Sequence, residues 1–167
     1  MYDAADEHAV RSLAAAYTDA VNRRDAEGMA AVFAEDGVIE KPGFGDPVVG
    51  IAKIRKRYQR LQNERDFLFQ MTHSGVVEFI TDDRANARWW FSELKQAKGA
   101  SDWLHVMGVY QDEALRLDDG WRFARRSQTT VLNQTLSAEG LQAFPLPGFH
   151  TIVPSALAAR TNGRDVS

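Results

Sequence analysis

The chain has 167 residues, of which 44% are hydrophobic and 26% are charged, and its formal net charge is −3 at pH 7. This composition is typical of a single globular domain with a real core, and it excludes wholesale disorder. Without a global positive field, the chain is not expected to bind nucleic acid or an anionic membrane. The absence of cysteine excludes disulfides, a thiolate nucleophile and a cysteine-ligated metal.

The N-terminal segment MYDAADEHAV is acidic and lacks the apolar stretch of a signal peptide. No apolar run in the sequence approaches the ~18 residues that a membrane-spanning helix needs. We therefore expect a cytoplasmic protein without a membrane partner.

The first half of the sequence predicts three helices. Apolar residues recur at helical spacing over residues 6–22. Asp25 is a suitable N-cap for a second, short helix that reaches Phe33. A short strand is expected at residues 38–39, and the glycines and prolines of residues 41–50 predict a loop. A third helix follows this loop directly.

The second half predicts four long strands, which short polar turns join into hairpins. Their approximate bounds are 67–80, 84–98, 102–117 and 121–134. Helices followed by strands indicate an α+β fold, in which one bent, mainly antiparallel sheet wraps around three N-terminal helices. We assign residues 1–134 to a single domain. Residues 135–167 are expected to form a C-terminal tail that packs in part on the domain and has a mobile end.

Five short segments stand out along the chain: Val21-Asn-Arg-Arg-Asp25, Phe33-Ala-Glu-Asp-Gly37, Thr72-His73, Gly108-Val-Tyr-Gln-Asp112 and Asp119-Gly-Trp-Arg-Phe123. Their order and spacing resemble the SnoaL-like branch of the NTF2-like superfamily over about residues 6–130. The resemblance implies a cone of three helices in a bent sheet, with a deep pocket. That superfamily includes dehydratases, isomerases, cyclases, a dehydrochlorinase, epoxide hydrolases and non-catalytic binders, so the fold alone does not identify a reaction.

His73 is the first candidate for catalysis. The two-residue period of a strand places it on one face with Phe69 and Met71, and a neutral imidazole can accept a proton near pH 7. The alternative is a histidine that only satisfies hydrogen bonds. The resemblance implies that the Thr72-His73 pair stands where dehydratases and the dehydrochlorinase keep their catalytic histidine.

Glu93 is the second candidate, because it continues the apolar face that Trp89 and Phe91 form on the next strand. A carboxylate on an apolar face needs a partner, since burying an unpaired charge is expensive. His73 is the expected partner, and the pair would orient the imidazole and raise its basicity. Bile-acid-dehydratase-type sequences, which this segment resembles, imply the same pairing. The alternatives are a bulged strand or a Glu93 that lies beyond the covered part of the sheet.

Tyr17, Asn22 and Arg126 complete the polar candidates. The Tyr17 hydroxyl either donates to a substrate oxygen, as the resemblance implies, or only reaches the rim of the core. Asn22 stands where many relatives carry an aspartate that assists the histidine. Asparagine cannot accept a proton, so either Glu93 takes over or catalysis is weakened or absent. Arg126 aligns with a pocket arginine of the dehydrochlorinase and could stabilise an anion or a leaving group.

The third long strand adds weaker candidates. His105 and Met107 are expected on the pocket face, where Met107 would join Trp89 and Phe91 in an apolar wall. The opposite face is unusually apolar, and it predicts a homodimer through the convex side of the sheet. Its residues are Trp90, Leu94, Leu104, Val106 and Tyr110.

Together these residues predict a cofactor-independent lyase or isomerase that acts on a small, hydrophobic, oxygenated ring substrate. His73 would abstract a proton, Glu93 would orient it, and Tyr17 would polarise an oxygen. The histidines show no close pairing, so no metal site is expected. Two alternatives remain open: a non-catalytic ligand-binding or assembly module, which Asn22 favours, and a hydrolase that activates water in the pocket.

Overall fold

The computed structural model describes residues 2–143, and helices dominate its first part as predicted. Helix α1 spans Ala4–Asn22, α2 spans Ala26–Ala31 and α3 spans Ile51–Asn63. Asp25 caps α2, because its carboxylate accepts a hydrogen bond from the Gly28 N–H. The predicted second helix is too long, since α2 ends before Phe33 and Phe33 begins the first strand.

Six strands form one sheet with the order β2-β1-β6-β5-β4-β3. The strands are β1 (Phe33–Glu40), β2 (Val48–Val49), β3 (Arg65–Thr81), β4 (Arg84–Ala97), β5 (Trp103–Leu117) and β6 (Gly120–Leu136). β1 pairs in parallel with β6, and the other neighbours pair antiparallel. The predicted α+β class with a mainly antiparallel sheet is therefore confirmed. Strand β6 ends at Leu136, and the tail from residue 144 onward lies outside the described residues.

The helices and the inner face of the sheet share one apolar core. In its centre, the ring of Phe91 stacks on that of Tyr110, with centroids 4.3 Å apart. Tyr17 of α1 meets Tyr110 edge-on at 5.9 Å. Aromatic side chains from the first helix and from two central strands thus define the interior in which a ligand site is expected.

Strand β5 faces the opposite way to the prediction. Val106 and Tyr110 are buried against the core, whereas Met107 is 41% exposed on the outer face. The segment is apolar on both faces, so its own alternation does not specify an inner side. The pairing with β4, which sets Trp89 opposite Tyr110, fixes the side instead. His105 and Met107 are therefore not on the pocket face.

Strand β3 is inverted in the same way. Gln70 is buried on the inner face, and Met71 is 49% exposed on the outer one. The register with β4 shifts between Thr72 and Gly75, which indicates a bulge at this edge strand. His73 lies in the bulge and bonds to Ser92, which pairs with the exposed Met71, so the expected place of His73 on the pocket face is wrong.

The outer face of the sheet exposes large apolar side chains on neighbouring strands, namely Met71, Trp90, Met107 and Leu132. This set replaces most of the predicted one, since Val106 and Tyr110 are buried inside. The homodimer through this face stays a prediction. No helix within residues 2–143 is long and apolar enough to cross a membrane.

Candidate functional site

Helices α1 and α3, the β1–β2 loop and the inner sheet face enclose a cavity of about 60 Å³, which we call the central pocket. Its lining combines three tyrosines with cationic and acidic side chains. The lining residues are Tyr17, Ile39, Glu40, Lys41, Phe44, Asp46, Arg57, Tyr58, Leu61, Tyr110, Arg126 and Gln128. Two of the predicted site residues, Tyr17 and Arg126, therefore come together here.

A buried ion pair holds Arg126 in place. Its Nε donates to Asp112 Oδ1 at 2.8 Å and its Nη2 donates to Asp112 Oδ2 at 2.6 Å. Trp89 Nε1 donates to the same Oδ2 at 2.9 Å. Both charged side chains are almost fully buried, at 3% and 0% exposure. The two parallel hydrogen bonds fix the plane of the guanidinium.

Burial acts against both charges of this pair. It raises the pKa of the Asp112 carboxyl, even though Arg126 and Trp89 act in the opposite direction. Burial also works against the charge of Arg126, but the attraction and hydrogen bonds of Asp112 outweigh it and keep the pKa of the guanidinium above its ordinary value. The structure therefore keeps a permanent cation beside the central pocket.

Three aromatic rings surround the Arg126 guanidinium. Its Cζ lies 4.3 Å from the ring centroids of Tyr17 and Tyr110, and 4.4 Å from that of Phe123. Its Nη1 is buried and has no hydrogen-bond partner among the described residues. A buried donor without an acceptor costs about 1–3 kcal/mol, and more when it is charged. Nη1 is thus a donor that an oxygen atom of a ligand would satisfy.

Tyr58 and Tyr110 of the pocket stay protonated near neutral pH. Burial raises the pKa of the Tyr58 hydroxyl well above its usual value, and neighbouring Tyr17 adds to the effect. Burial raises the pKa of Tyr110 in the same way, and its hydroxyl accepts a hydrogen bond from Gln70 Nε2 at 2.9 Å. The rings of Tyr17 and Tyr58 meet at 5.9 Å. The hydroxyls of Tyr17 and Tyr58 can donate a hydrogen bond to a ligand.

The structure does not join His73 to Glu93. His73 Nε2 shares a hydrogen bond of 2.9 Å with Ser92 Oγ, and the histidine is exposed. Glu93 lies on the inner side as predicted, but its partners are Lys95 Nζ at 2.7 Å and Gln70 Nε2 at 3.1 Å. Ser92 stands opposite the exposed Met71 in the sheet, on the face away from the pocket. The predicted base–orienter pair is therefore absent, and neither residue lines the central pocket.

His73 lies instead at an open groove between α1 and β3, of about 430 Å³. Thr18 and Thr72 meet there across a 2.5 Å hydroxyl contact. Asn22 binds the backbone of Gln70 twice, since its Nδ2 donates to the carbonyl and its Oδ1 accepts from the N–H, both at 2.8 Å. Asn22 thus holds the end of α1 on the edge strand.

Asn22→Asp is expected to destabilise the protein by about 1–2 kcal/mol, because the carboxylate loses the donor and sets a negative charge against the Gln70 carbonyl. Urea unfolding followed by circular dichroism measures the effect. Asp19→Asn is the control, since it removes only an exposed ion pair with Arg23 on the same helix. An Asn22→Asp variant as stable as the native chain would contradict the double hydrogen bond.

The other predicted contacts play different parts. Trp89 and Phe91 are buried on the inner face, but Trp89 holds Asp112 and lines the α1–β3 groove, while Phe91 stacks on Tyr110. Sequence reasoning did not identify the role of Asp112. A signal existed, because an arginine facing the core of a sheet requires a carboxylate on an adjacent strand.

Within residues 2–143, no group of three His, Cys, Asp or Glu side chains could hold a metal ion.

Comparisons with known proteins agree with this fold. The model of the SnoaL-like domain family matches residues 3–127. A sequence search of curated proteins finds no match. Solved structures of the same fold include a protein provisionally assigned as an aromatic ring hydroxylase from Novosphingobium aromaticivorans. It is 24% identical, covers 81% of this chain and 96% of its own, and has a TM-score of 0.74.

Two further solved structures are similar to this chain. One is provisionally assigned as a scytalone dehydratase from the same organism, with 19% identity, coverage of 78% and 87%, and a TM-score of 0.71. The other is a hexachlorocyclohexane dehydrochlorinase from Novosphingobium barchaimii LL02, with 17% identity, coverage of 85% and 96%, and a TM-score of 0.75. The TM-scores show that these proteins share the fold of this chain, and a shared fold does not identify a reaction.

Proposed function

Because the chain belongs to the SnoaL-like domain family, we propose that it is a cofactor-independent lyase or isomerase whose reaction centre is the central pocket. The observation that carries the proposal is the buried, unpartnered Nη1 of Arg126 beside Tyr17 and Tyr58. A fixed cation with a free donor stabilises negative charge that develops on a substrate oxygen. Relatives by fold named as a dehydratase and a dehydrochlorinase support the same reaction class.

The proposed reaction begins at a carbonyl whose oxygen accepts a hydrogen bond from Arg126 Nη1. A base removes the proton from the neighbouring carbon, and the electron pair of the broken C–H bond moves to the oxygen as an enolate. The electron pair then moves back from the oxygen to carbon. It either expels a leaving group from the next carbon or takes up a proton at another carbon. The first outcome is a lyase reaction and the second is an isomerisation. Arg126 acts in both by stabilising the enolate.

Asp46 is the base that removes this proton in the proposed reaction. It lines the central pocket, and its carboxylate has no ion pair or hydrogen bond within the described part of the chain. Glu40 also lines the pocket, but Arg125 Nη1 holds it at 2.9 Å.

Proton abstraction can be measured without the natural substrate, as hydrogen–deuterium exchange next to the carbonyl of 2-tetralone in D₂O, followed by NMR. We expect the protein to accelerate exchange and Asp46→Asn to slow it by about 100-fold or more. Tyr17→Phe should slow exchange by about tenfold, because it removes one hydroxyl and keeps the ring. His73→Gln should leave the rate within about twofold, since His73 lies outside the pocket. The reverse result, with exchange lost in His73→Gln and kept in Asp46→Asn, would place the reaction in the α1–β3 groove.

A non-catalytic binding module is the second candidate. It is favoured by the missing His73–Glu93 pair and by Asn22, which serves to hold α1 on β3. A binder predicts that 2-tetralone shows no accelerated exchange, while ligand-induced NMR shifts at the central pocket still weaken in Tyr17→Phe. The same protein samples therefore separate the two candidates.

A further inference from the structure

Positive charge gathers at the mouth of the central pocket. Lys41 and Arg57 line it directly. Arg57 extends from helix α3 and Lys41 from the loop after β1, so two cations from separate elements meet at one opening. Burial lowers the pKa of the Lys41 ammonium, and the positive charges of Lys95, Arg57 and Arg65 act in the same direction, against Glu93.

Few carboxylates oppose these cations. Glu93 is bound to Lys95 at 2.7 Å and Glu40 to Arg125 at 2.9 Å, and Asp46 lines the pocket without an ion pair. Neither Lys41 nor Arg57 has a carboxylate within ion-pair distance among the described residues. The Lys41 ammonium lies 4.2 Å from the ring centroid of Phe44 instead. The chain as a whole has a net charge of −3, so the unpaired cations at the pocket mouth run against the overall charge of the molecule.

We propose that the substrate is a small carboxylic acid that also carries a carbonyl oxygen, so that its carboxylate binds Lys41 and Arg57 at the mouth while Arg126 holds the carbonyl inside. This inference rests on the proposed function, because it takes the central pocket as the reaction site. The unpartnered Arg126 Nη1 and the two unpaired cations are independent observations, and they point to two acceptor groups on one ligand. The mouth also raises the local concentration of anions and speeds their capture.

Levulinate and its uncharged ester, methyl levulinate, test this inference, since both carry the same open-chain ketone at the same distance from the carboxyl carbon. NMR titration of the labelled full chain at low ionic strength should give a dissociation constant at least about tenfold lower for levulinate. Arg57→Gln should weaken levulinate by about fivefold and leave methyl levulinate unchanged. Lys56→Gln is the matched control, because it removes an equal, exposed charge from the neighbouring position of α3 and does not line the pocket. Added salt should weaken levulinate selectively.

The outcomes separate this inference from the proposed function. If both compounds bind equally and Tyr17→Phe weakens both, the anion preference is wrong and the pocket stands. If Lys56→Gln weakens levulinate as much as Arg57→Gln does, the attraction is not local and the inference is wrong. If neither compound binds, or if the shifted resonances lie at His73 and Ser92, the central pocket itself fails as the site.

Discussion

Replacing Asp112 by alanine should lower the free energy of unfolding by about 3–5 kcal/mol, the cost of leaving a buried charge without its partner. The variant keeps Arg126 in the core without its two hydrogen bonds, at 2.8 and 2.6 Å, and leaves the Trp89 N–H unpaired. Urea unfolding followed by tryptophan fluorescence and circular dichroism measures the loss. We also expect weaker ligand binding, because the pair orients the guanidinium at the pocket.

Two companions control the Asp112 experiment. Glu113→Ala removes the next carboxylate, which is exposed on the outer face and lies 3.6 Å from Arg125, so it should change stability by less than about 1 kcal/mol. The double variant Asp112→Leu with Arg126→Met removes both charges and should recover much of the lost stability, since a buried pair can often be replaced by apolar side chains. A loss below about 1 kcal/mol in Asp112→Ala would contradict the buried pair.

Gly108→Ala should destabilise the protein by about 3 kcal/mol, near the upper range for overpacking a core. A Cβ at this position would lie 2.4 Å from the Thr129 carbonyl oxygen and 2.7 Å from the ring of Phe91. The carbonyl belongs to the paired strand β6 and cannot move alone, and Phe91 is stacked on Tyr110. The readout is again urea unfolding, with a lowered midpoint expected.

Gln111→Ala is the control for Gly108→Ala, because Gln111 is exposed on the same strand and should cost less than about 0.5 kcal/mol. Displacement of Phe91 should also disturb Tyr110, so the resonances of the central pocket should shift in Gly108→Ala. A Gly108→Ala protein with an unchanged midpoint and unchanged pocket resonances would show that the strands separate there more easily than their packing implies.

Much of the fold follows from local sequence signals. The apolar stripe of α1, the Asp25 cap and the glycines and prolines after β1 placed helix α1, the start of α2 and the loop before α3 correctly, since helices and turns depend on near neighbours in the chain. The inner face of β4 was also predicted correctly, because Trp89 and Phe91 alternate there with charged or exposed residues. Glu93 lies on that inner side as expected.

The candidate site depended on information that the sequence holds only weakly. Strand β5 is apolar on both faces, and strand β3 carries a bulge before Gly75, so neither strand specifies its own inner side. Gln70 rather than Met71 faces the interior beside Glu93, so the side of β3 that Met71 and His73 share lies away from Glu93. Tyr17 and Arg126 were identified correctly as facing the interior, because helical spacing and the pairing of β6 leave them no other side.

By itself, the sequence determined an α+β chain with a buried aromatic interior and an arginine that faces it, because hydrophobic period and chain order are written in neighbouring residues. Only the tertiary structure decided which groups meet that arginine. Asp112 binds it from strand β5, while Tyr58 and Lys41 line the central pocket beside it from a helix and a loop. Their meeting depends on strand register and on the packing of α3, which arise from contacts between residues far apart in the chain.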